Sequence, residues 1–138
     1  MSKGTVTPHD VLGMLVGGVT PAYIANADVY IALHTGDPSA GDQTTSEVTT
    51  VAYQGYTRLT LTKSGAWTGA GSTFSNANLL QFPACSGGTG ATLTHVSIGV
   101  AFSGASQILY CGVLSAPSPV SSGLQPQFAP GDLQVSES

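Results

Sequence analysis

Four polar side chains invite a chemical reading first: His34, Asp37, Asp42 and His95. A metal site needs three or four such ligands converging on one point. No His-x-His or His-Glu-x-x-His spacing gathers them, and His34 runs straight into the turn Thr35-Gly36-Asp37-Pro38. There Thr35 and Asp37 are expected to bond backbone N–H groups. All four are read as structural, and no metal or other cofactor is expected. Ser97 and His95 stand two apart on one strand face, so both point the same way. A serine beside a histidine is part of a hydrolytic triad, but no Gly-x-Ser-x-Gly elbow presents the serine. The seven acids mostly sit beside Gly or Pro or near the ends, and give no sign of the carboxylate pair of a glycosidase. Gly87-Gly88-Thr89-Gly90 lacks the Gly-Lys-Ser/Thr ending of a phosphate loop. No catalytic residue is assigned, and the chain is not expected to be an enzyme. Tyr23, Tyr30, Tyr53, Tyr56, Tyr110 and the single Trp67 would stack on sugars if they shared an exposed face. They suit the interior of β-sheets equally well.

The background to these residues is almost free of charge. Only 7% of the chain is Asp, Glu, Lys or Arg, against roughly 25% in average proteins. Yet 41% is hydrophobic, which argues against disorder. Gly, Ser and Thr do the solubilising, so docking such a surface desolvates few ions. Extensive packing against other subunits is the expectation. Lys3, Arg58 and Lys63 are the only cations and the net charge is −4. Three scattered cations cannot neutralise a phosphate backbone, so no nucleic-acid partner is expected. Apolar stretches are of strand length, so no membrane-spanning helix and no membrane partner are expected. Val11-Leu12-Gly13-Met14-Leu15-Val16 is too short for a secretory core and no cleavage motif follows, which predicts folding in a cytoplasm. Cys85 and Cys111 lack a Cys-x-x-Cys spacing. In a cytoplasm they are expected as buried free thiols, with a cross-sheet disulfide as the alternative.

The elements that must carry these residues are short. Thr7-Pro8-His9-Asp10 reads as a helix start, with Thr7 capping, Pro8 in the first turn and Asp10 at the positive dipole end. Val11, Leu12, Leu15 and Val16 form one apolar stripe before Gly17-Gly18 ends the helix. A helix this short is marginal alone and must pack on the body or on a neighbour. Val29, Ile31 and Leu33 alternate with Asp28, Tyr30, Ala32 and His34 as a strand that Pro38 stops. Ser39 to Thr50 is a polar loop, with extended pairing expected near Val48 to Val51. Arg58 to Lys63 is a second strand, and Trp67 and Phe74 bracket a turn at Gly69 and Gly71. Leu80 and Phe82 share one face of a strand that Pro83 closes, and Ser86 to Gly90 is a flexible loop. Thr92 to Phe102 is the clearest strand. There Val96, Ile98, Val100 and Phe102 alternate with a face of small residues that admits close approach. Ser103 to Ser106 turns the chain into an antiparallel return, Gln107 to Leu114. Pro117, Pro119 and Pro126 are expected to break it, with short final strands at Phe128 and Leu133 to Val135. The pattern predicts an all-β, single-domain antiparallel β-sandwich or jelly-roll of about seven or eight strands. Residues 1–20 would form an N-terminal arm or short helix and residues 21–138 the sandwich domain.

Several phrases also occur together as an ordered set. They are Tyr30 to Pro38, Ser46-Glu47-Val48, Gly55-Tyr56-Thr57-Arg58, Ser75-Asn76-Ala77 and Leu80 to Pro83. Thr94 to Gly99, Leu109 to Leu114 and Phe128 to Leu133 follow. Over residues 8–136 this set resembles a family of small virion proteins of tailed bacteriophages and prophages. The resemblance implies a structural protein and brings no catalytic residues. Members are often labelled tail-fibre or minor tail proteins, and similar small β-proteins of short-tailed phages are capsid cement. The chain has no heptads, stalk or repeats, which favours a capsid cement or decoration protein that stabilises contacts between major capsid subunits. The alternative is a minor tail or tail-fibre protein that serves tail assembly or host attachment. The expected partners are the major capsid protein and further copies of the chain, as a homodimer or homotrimer. The expected place is the capsid exterior, after assembly in the host cytoplasm. Val11, Leu12, Leu15 and Val16 of the arm, with Asp42 and Glu47 of the loop, are the residues expected to reach over a neighbour.

Overall fold

The alternating segment forms strand β2 (Asp28–His34) in the computed structural model, which describes residues 1–137. The last residue of the expected sandwich domain, Ser138, lies outside the described residues. β2 is flanked by two antiparallel neighbours, β3 (Leu59–Thr62) and β7 (Ala91–Gly99). Register sets Val29 opposite Leu61, Ile31 between Leu59 and Ile98, and Leu33 opposite Val96. Side chains on one face of a strand recur every second residue, so these form one apolar band across three strands. β8 (Ile108–Val120) pairs with β7, and the two-residue β1 (Ser2–Lys3) pairs with β8. The sheet order is β1-β8-β7-β2-β3. The hairpin of β4 (Trp67–Ala70) and β5 (Thr73–Asn76) joins β10 (Gln134–Ser136) in a three-stranded sheet, and β6 (Leu80–Gln81) pairs with β9 (Gln127–Phe128). All these pairings are antiparallel, and the fold is all-β in one domain.

The band of the large sheet packs with Leu80, Phe82, Cys85, Leu133 and the ring pair Tyr53 and Tyr56 in one core. Tyr56 stacks on Phe82 with ring centroids 6.3 Å apart, and Tyr53 lies tilted at 5.4 Å from Tyr56. These two tyrosines are buried, so the tyrosines and Trp67 do not form a shared exposed stacking face. Cys85 and Cys111 are buried free thiols. Among the described residues no helix is long and apolar enough to cross a membrane.

The ten strands exceed the expected count through β1 and the β4–β5 hairpin. Other differences have local causes. β7 stops at Gly99, short of Phe102, because the Ser106 hydroxyl accepts the N–H groups of Val100 and Ala101, each at 3.0 Å. Phe102 is left exposed, edge-on to Tyr30. β8 runs on through Pro117 and Pro119, since its outer side is covered by β1 only opposite Tyr110 and Cys111. A proline on an open edge costs no ladder bond. Thr7 does not cap the helix α1 (Thr7–Leu12): Val6 holds that position, and the Thr7 hydroxyl donates to the Ile108 carbonyl at 2.8 Å. A π-helical turn, Gly13–Gly17, extends α1 until Gly18 turns left-handed at φ 67°. The loop pairs at Ser46 to Val48, earlier than expected, through Thr35 N–H to Ser46 O and Val48 N–H to Leu33 O. The Ser86 to Gly90 loop is tied to residues 51–54 by backbone bonds, among them Gln54 N–H to Gly87 O and Gly90 N–H to Ala52 O. It is anchored where flexibility was expected.

Candidate functional site: an apolar arm beside a clamped loop

The arm is fastened by its polar groups. Gly4 N–H bonds the Leu109 carbonyl at 3.1 Å, and Thr7 holds Ile108. Asp10 Oδ2 accepts from Gln107 Nε2 and from the Tyr23 hydroxyl, each at 2.8 Å. Those bonds, Gln107 first, hold the Asp10 carboxyl below its usual range. Burial and then Asp10 push the Tyr23 phenol up to about 12. The outer face is apolar. Leu12 is 60% exposed, Leu15 74%, Val16 82% and Val19 61%. An ordinary surface helix buries its apolar stripe and wets its polar one. Here Thr7 and Asp10 face the body and the leucines face outward. From Val11 to Ala27 the chain carries no charged residue.

The loop after β2 is closed in on itself. Asp42 Oδ1 accepts the Thr44 N–H at 2.7 Å, and Asp37 Oδ1 accepts the Ser39 N–H at 2.9 Å. These bonds lower both carboxyl pKa values, that of Asp42 through Thr44 and that of Asp37 through Ser39. Thr35 departs from expectation: its hydroxyl points to the Ser46 carbonyl. Gln43 is fully buried, with Nε2 donating to the Tyr30 carbonyl (3.1 Å) and to Ser97 Oγ (3.0 Å). Its amide lies where a Cβ on Gly99 would have to be. The small-residue face of β7 is thus filled by the chain's own loop.

His34 is also fully buried. Its Nδ1 meets the Thr45 carbonyl at 2.9 Å and its Nε2 meets Ser97 Oγ at 2.7 Å. A carbonyl only accepts, so Nδ1 carries the proton and Ser97 donates to Nε2. Burial depresses the His34 pKa, against the pull of the Thr45 carbonyl. Ser97 therefore pairs with His34 across the sheet. His95 bonds Thr94 instead, so the Ser97–His95 pair read from the sequence does not form. Among the described residues no group of three His, Cys, Asp or Glu side chains gathers.

Arg58, the only arginine, is 4% exposed and forks onto Glu47 through Nε and Nη2, both at 2.8 Å. It also donates to the carbonyls of Ala101 (3.0 Å) and Gly104 (2.8 Å). Burial works against the guanidinium, and the Glu47 hydrogen bonds and charge outweigh it, so the Arg58 pKa rises. The Tyr56 hydroxyl donates to Glu47 at 2.8 Å, and burial followed by the Glu47 charge raises its pKa.

Of the residues expected to reach a neighbour, Leu12, Leu15 and Val16 are open, Val11 is half-buried, and Asp42 and Glu47 hold the chain's own loop. Arm and loop meet beside the β7–β8 turn, where Ser106 O accepts the Gln43 N–H and the next residue, Gln107, holds Asp10. Val19 escaped the sequence reading although it repeats Leu12 and Leu15 at helical spacing, since Gly17-Gly18 appeared to end the stripe. Arg58 escaped as one position of an alternating strand.

These features define a β-sandwich whose arm presents exposed apolar side chains from Leu12 to Val19. Residues 3–136 match the family described as Podophage GP4 fiber I protein gp80, and the chain belongs to that family. It is a bacteriophage virion structural protein of tail-fibre type. No curated protein matches the chain.

Proposed function

We infer that this chain is a fibre subunit on the outside of a tailed-phage particle, fastened to neighbouring subunits through its N-terminal arm and acting by contact, with no catalysis of its own. The match of residues 3–136 to a fibre family carries this reading. The tail-fibre alternative therefore stands ahead of capsid cement, which rested on the shortness of the chain and its lack of heptads. The partners are other virion proteins or further copies of the chain, and neither nucleic acid nor membrane.

The physical basis is the inverted arm. Each Leu or Val that passes from full exposure to full burial contributes about 1.5–3 kcal/mol. Leu12, Leu15, Val16 and Val19 together supply several kcal/mol, of which association consumes a part. Repetition over several copies makes weak single contacts effective. Deleting residues 1–18 would be a poor test, because it removes β1 and the Thr7 anchor as well. The double variant Leu15→Asp, Val16→Asp keeps both. Particles assembled with it are expected to lack this protein, as read by quantitative mass spectrometry of purified virions. The wild-type copy number tests placement: up to about a dozen per particle fits a fibre, while hundreds would return the protein to the capsid lattice and to the major capsid protein as partner.

A further inference from the structure

The loop that follows β2 is held shut at few points. Between Gly36 and Thr45 only Pro38 and Gln43 are buried. The bonds that tie this segment to the sheet pass through Gln43 and Thr45. Gln43 N–H reaches the Ser106 carbonyl at 3.0 Å, and Gln43 Nε2 reaches the Tyr30 carbonyl and Ser97 Oγ. The Thr45 carbonyl meets His34 Nδ1. Other bonds of the segment run within the loop, among them Gly41 N–H to Pro38 O and Thr45 N–H to Asp42 O. Both ends are suited to turning. Gly36 has no Cβ, and Ser46 sits at φ 54°, the one non-glycine residue with positive φ among the described residues.

This string of bonds closes only around a neutral imidazole. His34 Nδ1–H donates to Thr45, the Ser97 hydroxyl donates to Nε2, and Gln43 donates to Ser97. The Tyr30 carbonyl only accepts, so it fixes the Gln43 amide with Nε2 toward it. Gln43 Oε1 is left as a buried acceptor without a partner among the described residues. A proton on His34 Nε2 reverses one link: the ring now donates, and Ser97 must turn its own hydrogen away. Gln43 presents only N–H there, so that hydrogen has no acceptor in the string unless the amide turns and loses Tyr30. The charge is badly placed as well. Of the ionisable groups that face His34, Glu47 favours the imidazolium, but Arg58 already forks onto that carboxylate, and Arg58 and His95 oppose the charge. Tyr56 donates to the same carboxylate and stays neutral. Burial is the largest effect and holds the His34 pKa below its ordinary 6.5. An unpaired hydroxyl and a buried charge both cost free energy, and water relieves both.

We propose that His34 is an acid-released catch: neutral, it keeps residues 36–45 closed on β7, and protonated, it lets that loop swing out while the sandwich stays folded. The open loop gives the ring to water, where it titrates at its ordinary value, so the open state binds the proton first. Opening is unaffected above about pH 6.5 and grows by about tenfold for each pH unit below it, down to the lowered value of the closed state. The ladders of β2 with β3 and β7 do not pass through the loop. Release takes the Gln43 amide off Gly99 and off Ser106, whose neighbour Gln107 holds the arm through Asp10. The proposal does not rest on the virion reading.

The test is amide hydrogen exchange of the full chain, followed by NMR between about pH 7.5 and about pH 5 and corrected for intrinsic exchange. Asp37 and Asp42, held low, titrate below this range. Protection of Gln43 N–H should fall about tenfold per pH unit below about 6.5, while the β2–β7 ladder amides keep theirs. Nitrogen chemical shifts should show the His34 ring protonated on Nδ1 at the upper end and gaining its second proton as the loop opens. His34→Gln keeps an acceptor for Ser97 and should abolish the pH dependence. His95→Gln changes the other histidine that faces the site and should preserve it. If His34→Gln does not fold, the wild-type exchange and ring titration decide. Gln43 protection that is flat with pH overturns the proposal, as do ladder amides that fall in step with it. So does a second proton on His34 with the loop still closed, or a pH dependence that survives His34→Gln or disappears in His95→Gln.

Discussion

The two faces of this molecule treat polarity in opposite ways. Around β2 nearly every side chain is consumed internally: His34, Ser97 and Gln43 bond one another or backbone, and Arg58 directs four hydrogen bonds to Glu47 and two carbonyls. In the arm Thr7 and Asp10 are consumed as well, but Leu12, Leu15, Val16 and Val19 are left outside. The first region makes a rigid body and could be complete in isolation. The second makes sense only when something covers it. Expression of function and expression of stability are thus separated along the chain, and variants should separate them too.

The largest effect should come from Arg58→Ala, which strands Glu47 and two carbonyls. Removing one partner of a buried pair costs about 3–5 kcal/mol, read as a fall in urea midpoint. Ser97→Ala is next. It takes a donor from His34 and an acceptor from Gln43, at about 1–3 kcal/mol. The pH profile sharpens the same point. In the unfolded chain His34 titrates near 6.5, and burial lowers that value in the fold. The unfolded chain therefore binds the proton first, so stability is full above about 6.5 and falls as pH drops toward the folded value. The carboxyls held low, Asp10, Asp37, Asp42 and Glu137, add their loss only below their ordinary 3.8 or 4.5. His34→Gln should flatten the slope above that range in urea titrations at stepped pH. Smallest in stability is Leu15→Asp with Val16→Asp, expected within about 0.5 kcal/mol of wild type while incorporation into particles is lost. A large stability change in that variant would mean that the arm belongs to the core and would erase the contrast.

How much of this the sequence shows follows from how local each signal is. The β2 and β3 alternation, the Leu80–Phe82 face and the Gly18 helix end depend on neighbours in sequence, and they appear as expected. The end of β7 depends on Ser106, and the continuation of β8 through two prolines depends on its lying at an edge, which only the sheet order reveals. The arm stripe was legible as a stripe, but its outward direction was not, because Thr7 forgoes the cap to hold Ile108 from a distant strand. Asp42 and Glu47 looked available since exposure of a loop is assumed from its composition. Their partners, Thr44 and Arg58, show that a Ser/Thr-rich loop can be pinned from within.

The attachment of the arm at the start of β8 has a mechanical consequence. A pull on the arm directed along β8 enters a thirteen-residue strand whose ladder to β7 lies across the line of force. Such a load is shared among many hydrogen bonds at once, whereas a pull across the sheet would open them one after another. A part exposed to drag and collision outside a particle is better served by the first arrangement, and the Gly4 and Thr7 fastenings set that direction.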